Sequence, residues 1–402
     1  MPINLLAIPT PERFRGEGPR KQQPVQLNGA HRLALVRSVA TPHDDKLNMP
    51  ATSESFAAGL PVEISRIDRE LKKLWTEGGG AMTRASLINL AIYSEAPESL
   101  PKNTQLISQI TENHACRAIV IGTNPAAKEN RVEAWISAHC HVSRAGSKQV
   151  CSEQLSFLLE GRSANLLPNI VFSHLDSDLP FYLWWQDEFP DPMDPQLWAW
   201  VDRLIYDSQT WKDFQTQLRL VQTAQAEARQ RIVLCDLNWT RLVHHRVALA
   251  QFFDHPASHH HLDEMKSARI VHAPEHRSTA MLLAGWLAAQ LGHDEGTADK
   301  SGMLCFKRTE DAAKIFEVDL IEAVGEPISH CVVTSASLEF RVAHASGSDL
   351  LEVSSGAANK ERMHQLLPAG KNDSVSLMSE ELMRGGPHRV YLRAVNCVRA
   401  LL

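Results

Sequence analysis

The sequence has 402 residues, of which 44% are hydrophobic and 22% charged, as in globular chains rather than disordered or fibrous ones. Its 47 acidic residues outnumber its 41 basic residues and give a formal net charge of −6, so no electrostatic reason favours nucleic-acid binding. The most apolar stretch, residues 280–291, is too short to span a bilayer, and the seven scattered cysteines do not resemble a disulfide framework.

Residues 1–59 differ from the rest of the chain, because prolines recur through them and their charges follow no period. Proline removes a backbone donor and interrupts both helices and strands. We therefore predict a tail that is disordered or becomes ordered on a partner.

Ordered structure is expected from residue 60 onwards. Apolar residues at 64, 67, 71 and 74 predict a helix, which three consecutive glycines at 78–80 should end. Beyond it, the patterns predict strands at 85–93, 116–122 and 132–142, and helices at 104–113 and 151–160. These elements predict an N-terminal α/β domain over residues 60–163.

A more regular alternation of strand and helix begins at residue 164. The strands are predicted at 181–185, 202–206, 232–235 and 268–272, and the helices that follow them at 192–200, 208–229, 239–253 and 275–291. Four such units in series favour a parallel sheet covered by helices.

After about residue 300, short segments joined by turns predict antiparallel strands at 305–308, 314–320, 329–334, 337–343 and 350–353. A helix near 379–383 and a last strand at 389–398 complete the second domain, residues 164–402. The predicted fold class is α/β, with an N-terminal α/β unit, a central parallel β-α sheet layer and antiparallel C-terminal strands.

Signals of catalysis are weak. No glycine-rich phosphate loop follows a predicted strand, and no local signature of a nucleophilic triad is present. His139, Cys140, His141 and Cys151 resemble metal ligands, but alternation along a strand puts only the two histidines on one face. The histidines at 255 and 259–261 are typical of a solvated loop. We predict no catalytic residue, no cofactor and no metal.

Tryptophan is concentrated in the middle third of the chain, at positions 184, 185, 198, 200, 211 and 239. Tryptophan and arginine are enriched among residues that dominate binding at protein interfaces. Packing between a sheet and its helices explains the same residues, and both interpretations stay open.

Several of these residues lie in blocks whose order and spacing resemble the glucose-6-phosphate dehydrogenase assembly protein (OpcA) family. The resemblance covers residues from about 84 to 290 and is weak outside them. The matching blocks are Arg84–Leu90, His114–Ile121, Asp178–Trp185, Asp202–Ser208, Asp236–Leu242 with Arg246 and Ala250–Asp254, and Leu283–Leu287.

The resemblance implies a non-catalytic, cytoplasmic protein that binds glucose-6-phosphate dehydrogenase and promotes its assembly or its active conformation. Such a protein supports the oxidative pentose phosphate pathway and NADPH supply, with no nucleic-acid or membrane partner. The residues in these blocks that we expect to contact the enzyme are Arg84, Asn89, Arg117, Trp239, Thr240, Arg241 and Arg246.

The chain departs from the family pattern in two places. Val243, His244 and His245 stand where the family tends to have threonine, proline and tryptophan, which would alter a contact made there. Cys397 has no other cysteine near it in sequence, so the thiol regulation that the resemblance implies for photosynthetic members is not expected here.

Two other functions remain open. The parallel sheet could belong to a sugar-phosphate-binding enzyme whose ligand lies at the carboxyl ends of the strands, with Arg203, Arg241 and Arg246 as its basic residues. A purely structural subunit of an oligomer is the other.

Overall fold

The fold is taken from a computed structural model that describes residues 59–77, 82–142, 149–193, 195–227, 231–293, 295–299, 302–309, 311–345, 347–357, 363–386, 388–399 and 401. Apart from Gly59, the predicted tail lies outside the described residues, and so do the three glycines at 78–80.

The strands of the first sheet are β1 (Leu60–Pro61), β2 (Met82–Arg84), β3 (Ile88–Ser94), β4 (Cys116–Asn124), β5 (Arg131–Val142), β6 (Gln149–Glu160), β7 (Phe181–Trp185), β8 (Arg203–Tyr206) and β9 (Val233–Asp236). Those of the second are β10 (Ser267–His272), β11 (Glu295–Ala298), β12 (Leu304–Arg308), β13 (Asp311–Glu322), β14 (Ile328–Thr334), β15 (Glu339–His344), β16 (Leu350–Gly356) and β17 (Met363–Pro368).

The helices are α1 (Ile67–Glu77), α2 (Ser99–Ile110), α3 (Leu167–His174), α4 (Pro195–Trp198), α5 (Phe214–Glu227), α6 (Leu237–Arg241), α7 (Val243–Gln251), α8 (His260–Asp263), α9 (Arg277–Gln290), α10 (Ser374–Met383) and α11 (Arg389–Arg399).

Sheet A has the strand order β1-β5-β6-β4-β3-β7-β8-β9, with β2 paired to β6. From β6 to β9 every pairing is parallel, whereas β5 runs antiparallel to both β1 and β6. Strands β3 and β4 are apolar nearly throughout and buried, as expected for a sheet covered on both faces.

Sheet B has the order β11-β12-β13-β10-β14-β15-β16-β17. All its pairings are antiparallel except that of β10 with β13. The predicted fold class is therefore confirmed: a parallel-rich sheet precedes an antiparallel-rich one.

The strand predicted at 268–272 exists as β10, but its assignment to the parallel layer was wrong. It lies inside sheet B, between β13 and β14. Like β8 and β9, β10 is followed along the chain by a helix. The alternation of strand and helix in the sequence therefore placed it with β7, β8 and β9.

The helix predicted at 151–160 is a strand, β6. It occupies an interior position of sheet A, where both of its faces are buried. Because polar Ser152, Gln154 and Ser156 lie on one face and are buried as well, burial shows no alternation along the strand. The Gln154 amide donates to Ser156 and to Thr104, which satisfies these buried groups.

The strand predicted at 389–398 is a helix, α11. Its buried residues Tyr391, Ala394, Val395 and Val398 follow the i, i+3, i+4, i+7 spacing of a helix face. This face packs on α9 closely enough that a Cβ added at Gly285 would lie 2.6 Å from the carbonyl oxygen of Ala394.

The cysteine pattern predicted no disulfide framework, and it did not indicate the one bridge that the described residues contain. Cys140 and Cys151 are opposite each other in the antiparallel pairing of β5 with β6, with their Cα atoms 4.1 Å apart, and they form a disulfide. Strand pairing brings together two cysteines that the helix predicted at 151–160 kept apart.

Sheet A continues across the predicted domain boundary at residues 163 and 164, since β7 pairs with β3. The division into domains stays a prediction. None of the helices in the described ranges is long and apolar enough to cross a membrane.

Candidate functional site

The predicted contact residues Arg84 and Arg117 meet at one buried carboxylate. Glu153 of β6 is 2% exposed, and its Oε2 atom lies 3.2 Å from Arg84 Nη2 and 3.4 Å from Arg117 Nη1. We call these three residues the Arg84 cluster. A buried carboxylate is tolerated only with such pairing, because desolvation of a lone charge is costly.

Helix α1 covers the Arg84 cluster. Ile67 and Leu71 are buried in the core that also contains Leu155 and Phe157 of β6. One turn beyond Leu71, the indole of Trp75 donates a hydrogen bond to Glu153 Oε1. The amphipathic pattern of α1 thus places an aromatic side chain directly on the cluster.

Asn89, another predicted contact, is completely buried and organises a loop. Its amide donates to the carbonyl oxygens of Asp176 and Leu179, at 2.9 and 3.0 Å, and its own oxygen accepts from the backbone of Asp176. The Asp176 carboxylate in turn lies 3.6 Å from Arg84. Asn89 therefore positions a carboxylate that pairs with Arg84.

The other four predicted contacts lie together but are largely buried. Trp239 and Thr240 are 2% and 1% exposed. Arg241 makes two hydrogen bonds to the Asp207 carboxylate, at 2.8 and 3.3 Å, and a third to Asn238. This Arg241 network, formed by Asp207, Asn238 and Arg241, fixes α6 against the end of β8.

Arg246 stacks on the Trp239 ring, 3.5 Å from its centre, and donates to the Trp239 carbonyl. Burial, with the nearby charge of Arg384, lowers the pKa of Arg246 to about 9. On its other side, Trp239 packs against Tyr391 of α11. The aromatic ring of Trp239 and the guanidinium of Arg246 are therefore engaged in contacts within the molecule.

Thr240 donates a 2.7 Å hydrogen bond to Glu381 of α10. The same carboxylate accepts from His388 at 2.8 Å and lies 3.7 Å from Arg203. Burial opposes ionisation of Glu381, but the hydrogen bond and charge of His388 bring its pKa below the usual value.

Cys235, Glu381 and His388 are the one group of possible metal ligands in the described part of the chain whose donor atoms lie within 4.8 Å of one another. Arg203 fits poorly with a metal there, since its guanidinium is 3.6 Å from the Cys235 sulfur. Burial also raises the pKa of Cys235 well above its ordinary value, which disfavours the thiolate that a metal needs. The group is better described as an ion-pair network.

Asp236 lies at the centre of a second buried network. Its carboxylate accepts from Ser208, from the backbone of Asn238 at the start of α6, and from Tyr391. Burial, with the charge of Asp207, raises the pKa of Asp236 to about 6. Asp236 thus caps the N-terminus of α6, whereas Tyr391 was missed because its segment was predicted as a strand.

Among the described residues, His388 is the one histidine that belongs to a group of possible metal ligands. His139 bonds to Gln154 and His141 to Thr111, while Cys140 points to the other face in its disulfide. Of the six tryptophans in the middle third, only Trp200 is strongly exposed, at 60%. It packs on Phe172 of α3, with ring centres 4.9 Å apart.

Comparison with family models gives two adjacent matches. Residues 107–223 match the "Glucose-6-phosphate dehydrogenase subunit N-terminal domain", and residues 232–395 match the corresponding C-terminal domain.

Curated relatives carry a related name. The OxPP cycle protein OpcA of Nostoc punctiforme is 28% identical over 194 residues, which cover 46% of this chain and 40% of that protein. The protein of the same name from Synechococcus elongatus is 24% identical over 322 residues, covering 74% of this chain and 70% of its own length. The chain thus spans about two fifths of the Nostoc relative.

Solved structures resemble the chain only distantly. An NAD-binding oxidoreductase from Klebsiella pneumoniae is 10% identical with a TM-score of 0.44, covering 79% of this chain and 96% of its own. Levoglucosan dehydrogenase in complex with NADH and L-sorbose is 9% identical with a TM-score of 0.40, covering 79% and 89%. Scores this low carry no conclusion about activity.

Proposed function

Because the chain belongs to the OpcA family of glucose-6-phosphate dehydrogenase subunits, we propose that it is a non-catalytic assembly factor and activator of glucose-6-phosphate dehydrogenase in the cytoplasm. The observation that carries this proposal is the pair of family domains matched in order over 107–223 and 232–395. The enzyme is the partner, and its product supplies the oxidative pentose phosphate pathway.

The burial of each predicted contact residue supports a particular role for it in binding the enzyme. Arg84, whose side chain is 43% exposed, is available for direct contact with the enzyme. Asn89, Trp239 and Thr240 are buried and act by holding the surface in shape. We propose exposed Trp200 as a further contact, since an exposed tryptophan desolvates much area on binding.

The alternative, a sugar-phosphate enzyme using Arg203, Arg241 and Arg246, has less support. Arg203 is paired with Glu381, Arg241 with Asp207, and Arg246 stacks on Trp239. The side chains of Arg203 and Arg241 are only 9% and 7% exposed, so a substrate phosphate could reach them only by displacing these internal partners.

An activator must bind one state of its enzyme better than another. A tenfold gain in substrate affinity corresponds to about 1.4 kcal/mol of such preference. One well-desolvated tryptophan or arginine contact is sufficient, because hot-spot truncations cost about 2 kcal/mol or more.

The test is to mix the purified chain with glucose-6-phosphate dehydrogenase of the same organism. We expect the two to elute together in size exclusion, and the enzyme to become more active as the chain is added. The chain alone should turn over no glucose 6-phosphate. Separate elution together with unchanged enzyme activity would refute the proposal.

A further inference from the structure

A cavity of about 310 Å³ lies between α1 and sheet A. It is open to the Arg84 cluster, at the end of the sheet where β4 begins. Volumes from about 300 Å³ are typical of sites for small organic molecules. The cavity therefore lies at the amino ends of the parallel strands. Ligands of parallel sheets usually bind at the opposite, carboxyl ends.

The two arginines in the wall of the cavity differ in exposure. Arg117 is nine-tenths buried, and its Nε atom has no hydrogen-bond partner in the described structure. Glu153 Oε2 accepts no well-aligned hydrogen bond from either arginine, although both are within ion-pair distance. A guanidinium has five N–H groups in a planar fork, and that of Arg84, whose side chain is 43% exposed, can reach a ligand in the cavity.

Lys72 adds a third cation. It lines the cavity and forms no ion pair with any residue that the structure describes. Its neighbour Lys73 is engaged differently, since it pairs with Glu70 at 3.0 Å. Two guanidiniums and one ammonium around a small cavity are groups that bind a phosphate. A guanidinium binds two phosphate oxygens through parallel N–H groups, and the ammonium attracts the phosphate as a compact positive charge.

The remaining lining suits a body with hydroxyl groups. Trp75 contributes an apolar aromatic surface, and the carboxylate of Asp68 is a hydrogen-bond acceptor. The negative charge of a carboxylate would repel a bare anion, whereas its oxygens accept hydrogen bonds from hydroxyl groups.

We propose that this cavity binds a phosphorylated sugar, with the phosphate held by Lys72, Arg84 and Arg117 and a hydroxyl group held by the Asp68 carboxylate beside Trp75. The site is on this chain alone and does not depend on the proposed enzyme partner. A ligand there bridges α1 to sheet A.

The experiment is calorimetric titration of the isolated full chain with glucose 6-phosphate, glucose and inorganic phosphate. We expect glucose 6-phosphate to bind, inorganic phosphate to bind at least tenfold more weakly, and glucose not to bind measurably. Lys72→Gln and Arg84→Gln should each weaken glucose 6-phosphate binding at least tenfold. Lys73→Gln, one residue along the same helix, should leave it unchanged.

Melting curves of all three variants show whether the fold is kept, and Lys72 is exposed enough that its replacement should not change stability. The proposal is overturned if wild type binds no glucose 6-phosphate, if inorganic phosphate binds as tightly, or if Lys73→Gln weakens binding as much as Lys72→Gln. Because no enzyme is present, this outcome is independent of whether the chain activates glucose-6-phosphate dehydrogenase.

Discussion

At the scale of single residues, burial separates two roles that a sequence block does not distinguish. Arg241 is in a matching block and was one of the expected enzyme contacts, but its side chain is 7% exposed and bonded to Asp207. Trp200 lies outside the matching blocks and is strongly exposed. The sequence could not separate them, because the partner of Arg241 is 34 positions away.

We predict that Arg241→Ala lowers the free energy of unfolding by about 3 kcal/mol, since Asp207 and Asn238 lose their partner in a mostly buried site. Arg219→Ala is the matched control, because its ion pair with Asp191 is exposed and should be worth less than about 1 kcal/mol. Urea denaturation of both variants measures the difference. Equal, small losses would show that the Arg241 network is not structural.

Trp200→Ala should behave in the opposite way. Truncating an exposed contact should leave the melting temperature nearly unchanged and raise the concentration of chain needed for half-maximal activation of glucose-6-phosphate dehydrogenase at least tenfold. Trp184→Ala, at a position 4% exposed, is the control and should lower stability by about 3–5 kcal/mol. Wild-type activation by the Trp200 variant would place the enzyme contact elsewhere.

At the scale of elements, close packing outweighs local propensity where α9 meets α11. Gly285 lies in the middle of α9, and a Cβ there would be 2.6 Å from the Ala394 carbonyl oxygen and from Val398. Glycine is therefore required by the approach of a second helix and not by a turn.

Gly285→Ala tests this point. Helix propensity alone predicts about 1 kcal/mol of stabilisation, whereas overpacking predicts about 1–3 kcal/mol of destabilisation. We expect destabilisation, seen as a lower melting temperature. Gln290→Ala, at an exposed position of the same helix, should change it little. A higher melting temperature for Gly285→Ala would contradict the packing of α11 on α9.

The pairing of β5 with β6 gives a second prediction at this scale. The Cys140–Cys151 bridge closes a loop with a sequence separation of 11, which should contribute about 2–3 kcal/mol in the chain-entropy account. Reductant, or the double replacement Cys140→Ser with Cys151→Ser, should lower the melting temperature. Cys305→Ser, at a free and partly exposed thiol, should not. No effect of reductant would mean that the bridge contributes nothing.

At the scale of the whole molecule, the order of sheet types follows from the sequence, but the joining of distant segments does not. Short apolar runs bounded by turns predict most of the strands, because a buried strand needs apolar residues within its own segment of the sequence. Glu153 was missed as the partner of Arg84 and Arg117 because its strand was predicted as a helix. Glu381 is 141 positions from Thr240, and no local pattern connects them.

The contribution of His245 to stability should fall as the solution is acidified below pH 6.5. Burial, with the charges of His344 and His244, lowers the pKa of His245 to about 4, so between pH 6.5 and 4 the unfolded chain binds a proton that the folded chain does not. Asp236 opposes this between pH 3.8 and about 6, where the folded chain binds the extra proton.

Replacing His245 distinguishes its contribution to the pH dependence of stability from that of Asp236. As the pH falls from 6.5 to 5, wild type should lose stability relative to His245→Leu by up to about 1.4 kcal/mol per pH unit, because only wild type contains the histidine. Urea midpoints measured at each pH for both proteins test it. Parallel pH curves for the two proteins would show that His245 does not titrate as described.

The hydrogen bond from Tyr391 to Asp236 has a consequence for how the protein is made. The two residues are 155 positions apart, and translation proceeds at about 5–20 residues per second. For roughly 8–30 s, therefore, a nascent chain has left the ribosome with β9 complete while Tyr391 has not yet been synthesised. During that interval the Asp236 carboxylate lacks one of its buried donors, so sheet A reaches its final state only after sheet B and α10 have emerged.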